Sequence, residues 1–247
     1  MKDCMSEQDR SEQKSSLCGG PSYGGALPSA SRVKTTQRRL LRWYESADRG
    51  YQWRRPRASK YQKIVAEVLL QRTKADVVSR MFDGFLVKYP SWAALASASE
   101  ADLADALRPL GLWRRRAVSL KALSVIIASR RGRYPKSRRA LEDLPGVGQY
   151  ICNAILLFDQ GHCQPLLDVN LARVLERVFG PRKLSDIRYD PWLQTLSSSI
   201  VRHESPASIN WAILDLAAAI CTVRKPKCDI CPLRSTCCFA QKTKSTV

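Results

Sequence analysis

From Thr35 onward, apolar residues recur at three- and four-residue intervals in segments closed by short breaks of polar residues, glycine or proline. That interval puts the apolar side chains on one face of a helix. It predicts helices over 60–74, 75–88, 100–107, 117–129, 150–158, 171–179 and 209–221. The breaks supply matching stop and start chemistry. Gly111 closes one helix, Pro135 and Pro145 interrupt, and Asp168 or Asn170 can cap the helix that follows. No stretch alternates apolar and polar residues with β-branched enrichment, so the fold class is all-α. Residues 1–33 lack apolar periodicity and are rich in Ser and Gly, which predicts a disordered N-terminal tail containing Cys4 and Cys18.

Charge adds a partner to this picture. Against 22 acidic residues stand 41 Lys and Arg, a formal net charge of +19 on 247 residues. A surplus of that size points to a polyanion, nucleic acid before membrane. The basic residues cluster as Arg114, Arg115 and Arg116, then as Arg130, Arg131, Arg133, Lys136, Arg138 and Arg139, and again as Arg224, Lys225 and Lys227. Any one such run can be a plain solvated face, but three together favour phosphate contacts. No apolar run is long enough to span a bilayer, and the N-terminus lacks the pattern of a secretory signal.

Four of the nine cysteines, Cys221, Cys228, Cys231 and Cys237, follow the spacing C-x6-C-x2-C-x5-C. Structural zinc sites normally bring together two close ligand pairs, and here only one pair is close. The wider spacing suits a loop wrapped round an iron–sulfur cluster, although a zinc knuckle or two disulfides stay open on spacing alone. Cys238 leaves the register of the fourth ligand ambiguous, with x5 favouring Cys237. Cys152 and Cys163 read as small buried residues. A thiolate cluster also implies a reducing, cytoplasmic setting.

Two helical patterns flank Leu144-Pro145-Gly146-Val147-Gly148-Gln149-Tyr150. Paired glycines let the backbone turn tightly and approach another backbone, and the next helix would present its N–H groups as a phosphate seat. An ordinary helix–turn–helix junction would read the same way. Further along, Asp168 stands where it can cap a helix N-terminus, a place that favours an anion. Glu67 interrupts the apolar run Ile64-Val65-Ala66-Glu67-Val68-Leu69-Leu70. Periodicity alone makes it an exposed helical glutamate, whereas an apolar setting would raise its pKa and make it a proton donor.

The hairpin string, the cysteine spacing and the helix NWAILDLAAAICT leading into KPKCDICPL resemble the iron–sulfur branch of the helix–hairpin–helix DNA glycosylases, the superfamily of endonuclease III and MutY. The closest resemblance is to the thymine–DNA mismatch enzymes, and it covers about 41–239. It implies two helical lobes with the active site in the cleft between them. One lobe is a six-helix block over 57–162 that ends in the hairpin. The other is a lobe of 34–56 with 163–241 that carries a 4Fe–4S cluster on the four cysteines, and 242–247 form a C-terminal tail.

The resemblance assigns catalysis to Asp168 and to Glu67, the latter matched within EVLLQRT. It makes Gln71 the probe of the space left by an extruded base and Leu112 the wedge in the stack, a role Trp113 can share. The hairpin residues Gly146, Val147 and Gly148, with Arg224, Lys225 and Lys227, become DNA contacts. Tyr150 stands where bifunctional members carry the lysine that forms a Schiff base, and a phenol cannot form that imine. The expectation is a monofunctional, monomeric enzyme associated with a bacterial or archaeal nucleoid, acting on double-stranded DNA. Its favoured substrate is thymine or uracil opposite guanine. The alternatives are an adenine glycosylase of MutY type, disfavoured by the short stretch after the cysteines, and a glycosylase for another modified base. A non-catalytic DNA-binding redox sensor is the reading from a different class.

Overall fold

The structure, a computed structural model, describes residues 25–47 and 49–242, and the regular elements among them are all helical. Twelve α-helices follow in order: α1 Ala30–Ala47, α2 Lys60–Leu70, α3 Ala75–Lys88, α4 Trp92–Ser97, α5 Glu100–Leu107, α6 Trp113–Ser129, α7 Arg138–Glu142, α8 Gln149–Phe158, α9 Val169–Phe179, α10 Pro191–Val201, α11 Pro206–Ala219 and α12 Cys238–Lys242. Their starts are chemically marked. Ser59 and Gln62 form a reciprocal capping box at α2, and the carboxylates of Asp168 and Asp190 cap α9 and α10.

Two cores separate along the chain. One is built from α2 to α8 and centres on Ile64, Phe82, Leu103, Leu120 and Ile151. The other joins Leu40 and Tyr44 of α1 to α9, α10, α11 and the cysteine region. Three sequence expectations change here. Helix α1 starts at Ala30, inside the stretch read as tail, and Arg32 anchors it by donating to the carbonyls of Val178 and Thr236. Most of the remaining tail, residues 1–24, lies outside the described residues, as do 243–247. Tyr51 and Trp53, placed by sequence with the cysteine lobe, stack on each other at 4.7 Å and pack in the first core against Phe82. Helix α2 ends at Leu70 rather than continuing to Lys74, so Gln71 sits at its end and Arg72 turns into the left-handed region.

The two cores meet over a buried ion pair. Arg54 follows Trp53, and its guanidinium donates to both carboxylate oxygens of Asp215 on α11, at 2.6 and 3.1 Å. Both side chains are nearly inaccessible, at 6% and 4% exposure. The guanidinium also lies over the rings of Tyr51 and Trp211, and Trp211 stacks on Phe158 at the end of α8. Breaking a buried pair leaves one charge without compensation. Asp215→Asn is therefore expected to cost about 3–5 kcal/mol of unfolding free energy, measured by urea denaturation. A loss below 1 kcal/mol would remove this pair from its place in the account.

Candidate active site and DNA-facing surface

Helix α2 buries Ile64, Val65, Ala66 and Leu69, and Glu67 goes inside with them at 2% exposure. The exposed glutamate that periodicity favours is therefore not what the chain builds. The Glu67 carboxylate accepts a 2.7 Å hydrogen bond from the Tyr150 hydroxyl on α8, which packs against α2. Burial pushes the Glu67 carboxyl up to about 7. The Tyr150 bond and the charge of Arg54 pull the other way, and the negative charge of Asp168 adds to the rise. Burial, together with the carboxylates of Glu67 and Asp168, holds the Tyr150 phenol well above its ordinary range. Tyr150 thus remains a hydrogen-bond donor.

Asp168 reaches this neighbourhood on an extended connector between α8 and α9. Two buried asparagines fix that connector. Asn153 donates to the Pro165 carbonyl at 2.8 Å, while Asn210 accepts from the Leu166 N–H at 2.7 Å and donates to the Gln164 carbonyl. The half-buried Asp168 then caps α9. One oxygen accepts from the N–H groups of Asn170 and Leu171, and the other accepts from the Asn170 side chain at 2.6 Å. Asp168, not Asn170, is the cap. Asn170 continues outward to Arg173, whose guanidinium donates to the Cys221 and Ala217 carbonyls. A single polar path therefore runs from Asp168 to the first cysteine of the candidate cluster.

The hairpin between α7 and α8 uses its glycines differently from one another. Gly146 has φ +72°, as the tight turn requires, and a Cβ there would stand 3.2 Å from the Ser119 Cβ, so the close neighbour is a side chain rather than another backbone. Gly148 is extended, with open space where a Cβ would be, and serves as the N-cap of α8. Val147 keeps its side chain away from the surface. Its side chain is buried in the first core and its N–H donates to the Leu144 carbonyl. Gln71, Leu112 and Gly146 line one cavity of about 230 Å³ with Arg72, Arg115 and Arg116. Leu112 is 56% exposed, while Trp113 is half-buried against the first core between Arg108 and Arg114.

Cys221, Cys228, Cys231 and Cys237 line one hollow, closed by Leu216, Ile220 and Leu233. Every described cysteine is free, which disposes of disulfides among them. Among the described residues no three His, Cys, Asp or Glu side chains are arranged to hold a single metal ion. Four thiols round a hollow fit a polynuclear iron–sulfur cluster better than one tetrahedral zinc. Arg177 closes the loop by donating to the carbonyls of Thr222 and Val223 and toward the Cys221 sulfur. Cys238 faces Arg32 instead and opens α12, whereas Cys237 lines the hollow. Cys152 is buried, but Cys163 is exposed, contrary to expectation.

Arg224, Lys225 and Lys227 are exposed on the cysteine loop, and so are Arg114, Arg115, Arg130, Arg131, Arg133, Lys136 and Arg139. Arg138 is exposed as well, with its guanidinium bonded to Asn153 and Glu142. Sequence reasoning passed over Arg54, Asn153, Arg173 and Asn210, and read Arg116 only as one of a basic run facing phosphates. The usable signal was a polar residue inside an apolar helical run, as in ICNAILLF and INWAILD.

Residues 65–189 match the HhH-GPD superfamily of base excision DNA repair proteins, and residues 221–237 match the iron–sulfur binding domain of endonuclease III. A thymine-DNA glycosylase of Aeropyrum pernix is 39% identical over 84% of this chain and 95% of its own. An adenine DNA glycosylase of Mycolicibacterium smegmatis is 33% identical over 78% of the chain and 66% of its own. The solved structure of a thermostable thymine-DNA glycosylase superposes with a TM-score of 0.77 at 30% identity, covering 86% of this chain and 98% of that one. No described helix is long and apolar enough to cross a membrane.

Burial of Glu67 has a thermodynamic consequence. The folded chain keeps the Glu67 proton up to about pH 7, whereas an unfolded glutamate releases it near its ordinary value. Between those values the folded state binds more protons, so stability falls as pH rises through the window. Glu67→Gln should match the wild type near pH 4 and exceed it by about 3 kcal/mol near pH 8. Equal denaturation midpoints at the higher pH would contradict the burial of an ionisable carboxyl here.

Proposed function

Since the chain belongs to the HhH-GPD superfamily of base excision DNA repair proteins, we propose that it is a monofunctional glycosylase removing thymine or uracil opposite guanine from double-stranded DNA. The observation that carries this reading is Glu67, a buried carboxyl bonded to Tyr150 in the electrostatic reach of Asp168. Once a base is extruded, the protonated Glu67 donates to it as the C1′–N1 bond breaks and the bonding pair leaves with the base. Positive charge then develops on the sugar, and the Asp168 carboxylate lies ready to stabilise it and to guide water to C1′. Water supplies the hydroxyl, and the product is an abasic site. Tyr150 orients Glu67 and offers no amine, so no covalent imine forms.

Cys221, Cys228, Cys231 and Cys237 would hold a 4Fe–4S cluster whose contribution is structural, folding the loop that presents Arg224, Lys225 and Lys227 to phosphates. Thymine leads over adenine because the thymine-directed relative is more similar and matches over nearly its whole length. Uracil belongs with it, differing from thymine by one methyl group. A pure DNA-binding redox sensor would have no use for a buried carboxyl that lowers stability near neutrality. The protein acts as a monomer in the compartment that holds the DNA.

Base release from a panel of duplexes, each with one mispair or modified base, tests the substrate. Thymine and uracil opposite guanine should be released. Release of adenine alone would give the adenine reading instead. Asp168→Asn should lose roughly 100- to 10,000-fold in rate with duplex affinity retained, and borohydride should trap no covalent adduct. An adduct in good yield would overturn the monofunctional assignment.

The cysteine loop makes a separate prediction. Replacing Arg224, Lys225 and Lys227 together by alanine should flatten the slope of log affinity against log salt by about 2–3. An unchanged slope would place these side chains away from the DNA.

A further inference from the structure

Arg116 lies in the first turn of α6, between two loops that sequence reasoning treated separately. Its Nε donates to the Gly111 carbonyl at 3.0 Å, next to Leu112. Nη1 donates to the carbonyls of Val68 and Leu69 at 3.4 and 3.3 Å. Nη2 donates to the Gln71 carbonyl and, at 2.8 Å, to the Thr73 hydroxyl. Thr73 then donates to the Leu110 carbonyl at 3.3 Å, back on the Leu112 side. A guanidinium has five N–H donors, and five contacts on protein atoms use them all. Nothing is left for a phosphate, in contrast to what the basic run suggests.

The placement works against local helix energetics on one side and with it on the other. Helix α6 opens on Trp113 followed by Arg114, Arg115 and Arg116, has no acid in its first turn, and its N-cap Leu112 makes no side-chain cap bond. Cations at a helix N-terminus are unfavourable. At the C-terminus of α2 the same charge is favourable, because the last carbonyls of a helix lack partners within it. Each loop also holds a non-glycine residue in the left-handed region, Arg72 at φ +57° and Leu112 at φ +51°. Such conformations persist where the surroundings over-determine them.

We infer that Arg116 is a positioning residue that locks Gln71 and Leu112 into one rigid, two-pronged unit, so that both enter the duplex together as the target base leaves. The inference rests on the reading of those two residues as the groups that fill the gap. It assigns Arg116 no contact with substrate.

The test uses the full chain, a thymine–guanine duplex and 2-aminopurine beside the mispaired thymine as a reporter of unstacking. Arg116→Met should slow single-turnover base release roughly 10- to 100-fold, since small misplacements remote from the chemistry cost that much. The fluorescence rise should be lost, while affinity for undamaged duplex and its salt slope stay at wild-type values. Arg116→Lys should behave like Arg116→Met, because one ammonium cannot span both loops, and adding Gln71→Ala to Arg116→Met should cost nothing more. Thr73→Val, which removes only the hydroxyl link, should give a smaller loss of the same kind and serves if Arg116→Met does not fold. Rescue by lysine, a salt slope lowered by about one, or slowed base release with a full fluorescence rise would each overturn the inference. If Gln71→Ala and Leu112→Ala leave both signals unchanged, the gap-filling reading is wrong and this inference falls with it. Base release by the wild-type chain would still stand as the separate test of glycosylase activity.

Discussion

Burying one carboxyl, that of Glu67, is the constraint around which much of this molecule is arranged. A carboxylate taken out of water is costly unless it is paired, and the cheaper course is to keep its proton. Among the described residues no cation pairs with Glu67 at contact distance. The chain supplies the Tyr150 hydroxyl at 2.7 Å, a donor whose own ionisation burial suppresses. Arg54, whose guanidinium is held by Asp215, acts on Glu67 through its field. Had Arg54 bonded Glu67 directly, the carboxyl would be a fixed anion with no proton to give.

Asp168 is the opposite case built from the same side-chain chemistry. It sits at a helix start, half-buried, with three N–H donors on its two oxygens. Holding a group there takes a rigid approach, and two buried asparagines provide it by pinning the connector on both sides. The asparagines come from different cores, Asn153 on α8 and Asn210 on α11, so the aspartate is placed by the packing of the cores against each other. The Arg54–Asp215 pair crosses the same boundary. Stability of the contact between the cores and geometry of the site are one problem here.

Much of this was legible in the sequence, and what was hidden has a common physical cause. Helical periodicity found α3 and α5 to the residue; α5 adds a capping Ser99 to its apolar stripe, whereas α3, whose N-cap Lys74 makes no side-chain bond, was legible from the stripe alone. The cysteine spacing and the hairpin string carried the site because they are local. Glu67 was ambiguous because an apolar run on both sides does not say whether a helix is buried all round, and only the packing of α8 onto α2 decides it. Short helices such as α4 and α7 escaped because five or six residues hold too little of a period to read. At Val147 the motif marks the backbone of the hairpin and does not say that the side chain fills the core. Partners far apart in sequence, Arg54 with Asp215 or Arg173 with Cys221, leave no local trace at all.

The surplus of positive charge also divides into two populations once the contacts are known. Arg54, Arg116, Arg173 and Arg177 spend their donors on carbonyls, carboxylates and each loop's backbone. They are interior struts, and arginine suits that task because its planar fork satisfies several acceptors at once. The exposed population, among it Arg224, Lys225 and Lys227, is what a polyanion would meet. Net charge read from the sequence counts both alike and so overstates the electrostatic footprint available to DNA. It understates how much of the basic character of this chain goes into holding loops at helix ends, where carbonyls without partners would otherwise have to be left to water.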